Sequence, residues 1–217
     1  MLEARIEKHV DLLVNRYPEL ESIKESIINA YLVMEESYSH DGKLMIAGNG
    51  GSAADSEHIA GELMKRFKTP RPVEPDFAEK LIAADPVRGP LLAKNLERGL
   101  MAIPLVAHEA LSTAYINDVD GYGVFAQQLF GFGRPGDVFL GISTSGNSQN
   151  IMNAVAVAKA SGIKVIGLTG AKGGELAGAA DVAVKAPETE TYMIQELHLP
   201  IYHCWCLMLE DKFFGNT

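Results

Sequence analysis

The chain contains the same short pattern twice: an apolar run, a loop of small polar residues, and an amphipathic helix. The first copy is the apolar run 44–47, the loop GNGGSAADSEH and a helical pattern that continues to residue 67. The second copy is the apolar run 137–142, the loop STSGNSQN and a helical pattern that continues to residue 158. Short apolar strands that lead through such loops into helices are typical of parallel sheets covered by helices. The repeated pattern therefore predicts an α/β protein built on a parallel sheet.

The rest of the chain continues this alternation of strands and helices. Further strands are predicted at 102–107, 164–169 and 181–185, with helical stretches between them. Ahead of the first strand, apolar residues recur every three or four positions on both sides of Pro18. This spacing predicts a helical hairpin over residues 1–40.

One segment, residues 74–99, interrupts the alternation. It contains three of the chain's ten prolines, and residues 91–98 form a mixed-charge helical patch. We interpret the segment as an insertion, which is either a lid over a site or a surface excursion without a function. After the last strand, a long helix is predicted over residues 190–214.

The composition fits one globular domain, with 217 residues, 47% hydrophobic and 22% charged. The formal net charge of −9, without a basic block, argues against nucleic acid as a partner. No apolar run approaches the roughly 20 residues that cross a bilayer, and the charged, amphipathic start is unlike a signal peptide. We therefore expect a cytoplasmic protein without a membrane partner. The two cysteines, Cys204 and Cys206, are expected to line the core, with metal binding as the alternative.

The two loops contain the residue types that bind phosphate. Ligands of parallel sheets bind beyond the carboxyl ends of the strands, where loop amides and helix N-termini attract anions. The second loop offers four hydroxyls within six residues, and the first loop adds another: Ser143, Thr144, Ser145, Ser148 and Ser52. Neither loop has the lysine of a nucleotide P-loop or the third glycine of the dinucleotide fingerprint, so no nucleotide cofactor is expected. The alternative is that these hydroxyls only cap helices.

Two helices contain residues that could move protons. His58 and Glu62 are four positions apart on the helix after the first loop, so both side chains lie on one face. The predicted last helix contains Gln195, His198 and His203, whose alignment along one face is looser. A carboxylate beside an imidazole is suited to acid–base chemistry, although a single helical histidine is more often structural.

Three segments together resemble a known family: GNGGSAADSEHIAGEL, STSGNS and IQELHLPIYH, in this order along nearly the whole chain. They are similar to the sugar isomerase (SIS) domain family, and within it to the phosphoheptose isomerases. The resemblance implies a single SIS domain over 1–217, a three-layer, flavodoxin-like sandwich with a five-stranded parallel sheet. It also implies a homotetramer with active sites at subunit interfaces. The implied reaction is the isomerisation of sedoheptulose 7-phosphate to D-glycero-D-manno-heptose 7-phosphate, the first step towards the ADP-heptose of lipopolysaccharide.

The resemblance also implies roles for individual residues. Glu62 would be the catalytic base and His203 the acid, while Ser52, Ser143, Ser145 and Ser148 would hold the phosphate, with Thr144 in the same loop. Further substrate-binding residues are implied in the first loop, in an IND motif and on the last helix: Asn49, Gly50, Gly51, Asp55, Asn117, Asp118 and Gln195. Some family members bind zinc through residues that match His58, Glu62, Gln195 and His203. One Zn²⁺ per subunit is therefore compatible with the sequence.

Two alternatives to this function remain open. The insertion at 74–99 is longer than the linker typical of the family, which allows isomerisation of another sugar phosphate. The other alternative is a non-catalytic SIS-domain protein that binds a partner, like the relatives that associate with replication initiators. Those relatives lack the carboxylate and the final histidine, so the presence of Glu62 and His203 favours an enzyme.

Overall fold

The computed structural model describes residues 2–215, and its centre is a parallel sheet. Five strands form this sheet: β1 (Leu44–Ala47), β2 (Ala102–Pro104), β3 (Val138–Ile142), β4 (Lys164–Gly170) and β5 (Val182–Ala186). Their order is β2-β1-β3-β4-β5, and every neighbouring pair is parallel. The predicted α/β class with a five-stranded parallel sheet is therefore confirmed.

Helices cover both faces of the sheet and make the outer layers. The helices in chain order are α1 (Ala4–Arg16), α2 (Lys24–Ser39), α3 (Gly51–Met64), α4 (Pro75–Ala84), α5 (Gly89–Asn95), α6 (Glu109–Asp118), α7 (Val124–Phe132), α8 (Gln149–Ala160), α9 (Gly174–Ala179) and α10 (Thr191–Phe214). Because successive strand residues point to opposite faces, Ile46 and Leu140 belong to the apolar core on the face covered by α2, α3 and α10, to which residues of α1 also contribute. Met45 and Phe139 pack on the other face against α7 and α8. The sheet thus separates two apolar cores.

Several predicted boundaries were wrong. The strand predicted at 102–107 ends at Pro104, because the Ala107 N–H donates to the Pro104 carbonyl, 3.2 Å away, and closes a turn. The helix predicted after Pro18 begins later, at Lys24, because Pro18–Ile23 form a 3₁₀ helix. The helical patch predicted at 91–98 is α5, which begins and ends earlier.

The inserted segment contains a helix that the sequence patterns did not predict. Helix α4 starts with Pro75 at its first position and packs mainly on α5. None of its residues is buried, and Phe77 and Ile82 are among its exposed apolar side chains. The insertion is therefore an ordered helical pair that lies outside both cores. The prediction of one domain over 1–217 remains a prediction.

The last helix, α10, is the most buried helix of the fold. Cys204 and Cys206 are both free and buried on it, as expected for core residues. Trp205, also buried, donates from its indole N–H to the Ile27 carbonyl of α2, 2.9 Å away. Within residues 2–215, no helix is long and apolar enough to cross a membrane.

A buried ion pair fastens the chain after α3 to α10. The guanidinium of Arg71 lies 2.9 Å from the carboxylate of Glu210, and both residues are almost completely buried. Glu210 also accepts hydrogen bonds from three backbone N–H groups, those of Phe67, Lys68 and Thr69. Burying a charged group costs free energy, so a buried ion pair is tolerated only when its remaining donors and acceptors are also hydrogen-bonded.

Arg71 extends the same connection back to α3. Its Nη1 donates to the Leu63 carbonyl at 2.8 Å and its Nη2 to the Glu62 carbonyl at 3.3 Å. The guanidinium also stacks on the Phe214 ring, 4.5 Å from its centroid. The ion pair therefore holds the end of α3 in a fixed position relative to α10.

We expect single substitutions of this pair to destabilise the fold strongly. Arg71→Met or Glu210→Gln leaves the other partner buried without full compensation, which costs about 3 kcal/mol or more in the free energy of unfolding. Urea denaturation measures this loss. The control is Arg88→Met, which removes an exposed ion pair to Asp85 and is expected to cost less than about 1 kcal/mol. Equal losses in the buried and exposed variants would contradict the prediction.

A second buried titratable residue on α10 makes stability depend on pH. His198 is completely buried, and its Nε2 lies 3.3 Å from the Thr169 carbonyl, so the ring donates there. Burial lowers the pKa of His198 from its ordinary value of 6.5 to about 4. The unfolded chain therefore binds a proton at His198 over a pH range in which the folded protein does not.

We expect His198 to weaken the fold as the pH falls from about 6.5 to 4. Stability falls with falling pH because the unfolded state binds more protons in this window. The maximum loss in the free energy of unfolding is about 3 kcal/mol. The measurement is the free energy of unfolding against pH for the wild type and for His198→Gln. The variant should have the smaller slope in this window, and identical slopes would show that His198 does not contribute.

Candidate active site

The two glycine loops lie side by side at one edge of the sheet. Strand β1 ends at Ala47 and β3 ends at Ile142, and these neighbouring strands are parallel, so both carboxyl ends meet. Each loop continues directly into a helix of at least 12 residues, α3 and α8. The free N–H groups and partial positive charge of two helix N-termini therefore converge on one place, an arrangement suited to an anion.

A pair of asparagines joins the two loops. The Asn49 side-chain amide donates to Asn150 Oδ1 at 3.0 Å, and the Asn150 amide donates back to Asn49 Oδ1 at 2.9 Å. The resemblance implies that Asn49 binds substrate, and in the structure its amide connects the loops. Asn150 lies in the STSGNSQN segment and was not singled out, because an isolated asparagine gives no signal for a partner 101 positions away.

Hydrogen bonds within the second loop, residues 143–150, fix its conformation; we call this segment the serine loop. Ser143 and Ser148 share a hydrogen bond at 2.9 Å between their hydroxyls, and the Gly146 N–H donates to Ser143 Oγ at 3.1 Å. The side chain of Ser148 precedes α8 but makes no capping hydrogen bond to it. The loop requires glycine at 146, where φ is +68° and a Cβ would lie 1.9 Å from the Gly173 carbonyl oxygen.

A cleft of about 270 Å³ opens beside this loop, at the carboxyl ends of β3 and β4. Its walls include Thr144 and Ser145 from the serine loop, and Lys172 from the segment after β4. Ser52, predicted to bind the same anion, is buried in the first turn of α3. The Thr144 and Ser145 hydroxyls and the Lys172 ammonium group therefore line this cleft together with the Glu188 carboxylate, and Ser52 is not among its lining residues.

His58 and Glu62 lie together on α3, as their spacing predicts. His58 Nε2 is 3.4 Å from Glu62 Oε1, and Lys65 Nζ lies 2.8 Å from the other carboxylate oxygen, Glu62 Oε2. The side chain of Glu62 is mostly buried, whereas that of His58 is 44% exposed. One oxygen of the carboxylate is thus held by Lys65 while the other faces the imidazole. Lys65 was not predicted.

His203 of α10 approaches the same place from the other side. Its ring centroid is 5.0 Å from that of His58, in an edge-to-face arrangement. Burial and the neighbouring His58 lower the pKa of His203. Its Nε2 is buried and has no hydrogen-bond partner among the described residues. The structure therefore brings together the predicted acid and base, with His58 between them.

Gln195 and Asp55 connect this acid–base cluster to the first loop. A Cβ at position 51 would lie 2.6 Å from Gln195 Nε2, so Gly51 leaves space for the amide of Gln195. Asp55 Oδ1 accepts a hydrogen bond from the Tyr202 hydroxyl at 3.2 Å, and burial raises the pKa of its carboxyl. Gln195 thus lies against the start of α3, and Asp55 is linked through Tyr202 to His58, while the roles of Gln195 and Asp55 in substrate binding stay predictions.

Two predicted residues lie apart from this cluster. Asn117 and Asp118 are exposed at the end of α6, where the Asn117 amide donates to Asp118 Oδ1 at 2.8 Å. Helix α6 packs on residues 121–123 and on α7. In the described chain, no hydrogen bond or ion pair connects these two residues to Glu62, to His203 or to the serine loop.

The donor set around His58 fits a zinc ion chemically. Two ligands of a tetrahedral zinc ion with bonds near 2.1 Å lie about 3.4 Å apart, which matches the 3.4 Å between His58 Nε2 and Glu62 Oε1. The unpartnered Nε2 of His203 is a third nitrogen donor of the right type. Among residues 2–215, no three His, Cys, Asp or Glu side chains are already gathered as a metal site. The third and fourth ligands would therefore have to rotate towards the first two.

The fold and these loops define a protein of the SIS class. The SIS domain family model matches residues 10–99 and 91–170. The phosphoheptose isomerase of Aneurinibacillus thermoaerophilus is 40% identical over 181 residues, covering 83% of this chain and 78% of that protein. That of Sulfurimonas denitrificans is 41% identical over 179 residues, or 82% and 78% of the two chains.

Comparison with solved structures indicates the same family. A phosphoheptose isomerase from Neisseria gonorrhoeae is similar with a TM-score of 0.72 and 32% identity, covering 95% of this chain and 97% of the other. One from Francisella tularensis has a TM-score of 0.74 at 26% identity, with the same coverage. The chain belongs to the phosphoheptose isomerases, a family of isomerase enzymes.

We expect Gly51→Ala to impair activity through Gln195. The new Cβ meets only the end of a flexible side chain, so the fold should lose less than about 1 kcal/mol while the amide is displaced. Isomerase assays should show that Gly51→Ala lowers kcat/KM about as much as Gln195→Ala. Adding Gly51→Ala to Gln195→Ala should cause little further loss. Fully additive losses would mean that Gly51 acts independently of Gln195.

Proposed function

We propose that this enzyme interconverts sedoheptulose 7-phosphate and D-glycero-D-manno-heptose 7-phosphate, as the first step towards the ADP-heptose of lipopolysaccharide. The observation that carries the proposal is the meeting of Glu62, His58 and His203 next to two loops built for an anion. The names of the relatives support the heptose substrate. An aldose–ketose isomerase needs these two regions, one for the phosphate and one for the carbonyl end.

The phosphate end fixes the position of the substrate. Ser52, Ser143, Ser145 and Ser148 would bind the phosphate with their hydroxyls, supported by the N-termini of α3 and α8. Neutral donors of this kind bind an anion even in a chain with a net charge of −9. Binding energy from the phosphate then holds the other end of the sugar against Glu62 and His203.

The carbonyl end undergoes proton transfer through an enediol. Glu62 would remove the proton from the carbon next to the carbonyl and return it to the neighbouring carbon. Its carboxylate is held in orientation by Lys65, which binds the oxygen that faces away from His58. His203 would move protons between the two oxygens. The lowered pKa of its imidazole favours the neutral form, which can both accept and donate a proton.

We also propose that His58, Glu62, Gln195 and His203 bind one Zn²⁺ per subunit. The 3.4 Å separation of His58 Nε2 and Glu62 Oε1 and the unpartnered His203 Nε2 support this assignment. When bound, the ion would polarise the substrate carbonyl.

The proposal includes assembly and location. We propose a homotetramer with active sites at subunit interfaces, supported by the exposed apolar side chains of the insertion, among them Phe77, Val87 and Leu91. The molar mass in solution, measured by light scattering, tests this state. We further propose that the enzyme acts in the cytoplasm, where its two free thiols, Cys204 and Cys206, stay reduced.

We expect loss of either proton-transfer group to lower kcat much more than it changes KM. Glu62→Gln and His203→Ala should each reduce kcat about 100-fold or more, the usual contribution of a positioned acid or base. Ser148→Ala should instead raise KM, because it touches only the phosphate end. The assay measures aldose formation from sedoheptulose 7-phosphate.

The matched control for this experiment is Glu57→Gln. Glu57 is an exposed carboxylate on the same helix as Glu62, so the same substitution there should leave kcat unchanged. Pentulose and hexulose phosphates, assayed beside the heptulose phosphate, test the substrate. Faster turnover of a shorter sugar phosphate, or full activity in Glu62→Gln, would refute the proposal.

A further inference from the structure

The hydroxyl of Tyr202 lies between two predicted site residues. Tyr202 is on α10 directly before His203, and it is almost completely buried. Its hydroxyl reaches across to α3, where it lies 3.2 Å from Asp55 Oδ1 and 3.0 Å from His58 Nδ1. The reaction proposed above does not use Tyr202.

The single proton of this hydroxyl determines which nitrogen of His58 carries hydrogen. A carboxylate can only accept, so the Tyr202 O–H donates to Asp55. The hydroxyl oxygen is then an acceptor, and the Nδ1–H of His58 must donate to it. In the neutral ring the lone pair therefore lies on Nε2, the nitrogen that faces Glu62 Oε1.

We propose that Tyr202 is a positioning residue that keeps His58 in its Nδ1–H form, so that the lone pair of Nε2 is presented beside the Glu62 carboxylate. Two acceptors 3.4 Å apart form a place for a cation or a donated proton. In the opposite tautomer, Nε2–H would donate to Glu62 and close that place with an internal hydrogen bond. The consequence for catalysis, unlike the tautomer itself, rests on the proposed function.

The packing around the ring supports this assignment. Tyr202 and His58 meet edge to face, with ring centroids 5.6 Å apart at 77°, and the rings of Tyr202 and His203 meet edge to face at 5.0 Å. Tyr202 therefore contacts both histidines of the site and limits how the exposed His58 ring can turn. Groups that orient a metal-binding histidine from behind typically change metal affinity 10- to 100-fold when they are removed.

The direct test is nitrogen NMR of the metal-free, full-length protein with ¹⁵N-labelled histidine. Two-bond proton–nitrogen correlations distinguish the two neutral tautomers, and His58→Gln identifies the signals of His58. We expect the Nδ1–H form in the wild type and a mixture of both forms in Tyr202→Phe. A wild-type His58 in the Nε2–H form, or an unchanged spectrum in Tyr202→Phe, would overturn the proposal.

Zinc affinity provides a second readout, measured by competition with a chelator. Tyr202→Phe should bind Zn²⁺ 10- to 100-fold more weakly than the wild type. The matched control is Tyr38→Phe, which removes another buried hydroxyl, one that donates to the Met101 carbonyl at 3.1 Å, far along the chain from the site. Equal weakening in both variants would indicate general loosening and overturn the positioning role. If the wild type binds no Zn²⁺, the proposed effect of Tyr202 on metal binding is overturned.

Kinetics separate this inference from the proposed function. Tyr202→Phe should lower kcat about 10-fold with KM for the sugar phosphate nearly unchanged, because the serine loop is untouched. A wild type without isomerase activity but with the expected tautomers would refute the proposed function alone. An active wild type whose tautomer is indifferent to Tyr202→Phe would refute only the role of Tyr202.

Discussion

The buried ion pair between Arg71 and Glu210 connects the two helices on which the proposed chemistry depends. Glu62 comes from α3 and His203 from α10, and a shift between these helices would separate the two groups. Arg71 binds the Glu62 and Leu63 carbonyls at the end of α3 and the carboxylate of α10 at once. A charged pair is a costly way to stabilise a core, but its directional hydrogen bonds fix position better than apolar contacts do.

The site combines two kinds of support with different physical origins. The anion-binding end is made of backbone geometry: parallel strands end together, and Gly146 lets the serine loop turn back on itself. The acid–base end is made of side chains that project from α3 and α10 and orient one another. His58 contacts Glu62, His203 and Tyr202, so it is the centre of this second group. One small molecule could reach both ends only because α3 starts at the loop and passes the acid–base cluster.

The sequence was sufficient for features that repeat or that are local. The paired strand–loop–helix pattern predicts the sheet, and the four-residue spacing of His58 and Glu62 predicts their contact. It was not sufficient for contacts between distant residues: Arg71 and Glu210 are 139 positions apart, and Tyr202 and His58 are 144 apart. Tyr202 has the pattern of an ordinary core aromatic, because a periodic apolar position does not show what its hydroxyl will meet. The zinc ligands and the roles of Asn117 and Asp118 stay predictions.

The reciprocal amide pair between Asn49 and Asn150 connects the two anion-binding loops without using a charged group. Neither partner carries a charge or titrates, so changes in pH or ionic strength that weaken ion pairs should have little effect on this connection. The separation of the two loops is thus set before any phosphate arrives. Less conformational entropy then has to be lost when the substrate binds, so more of its intrinsic affinity is retained.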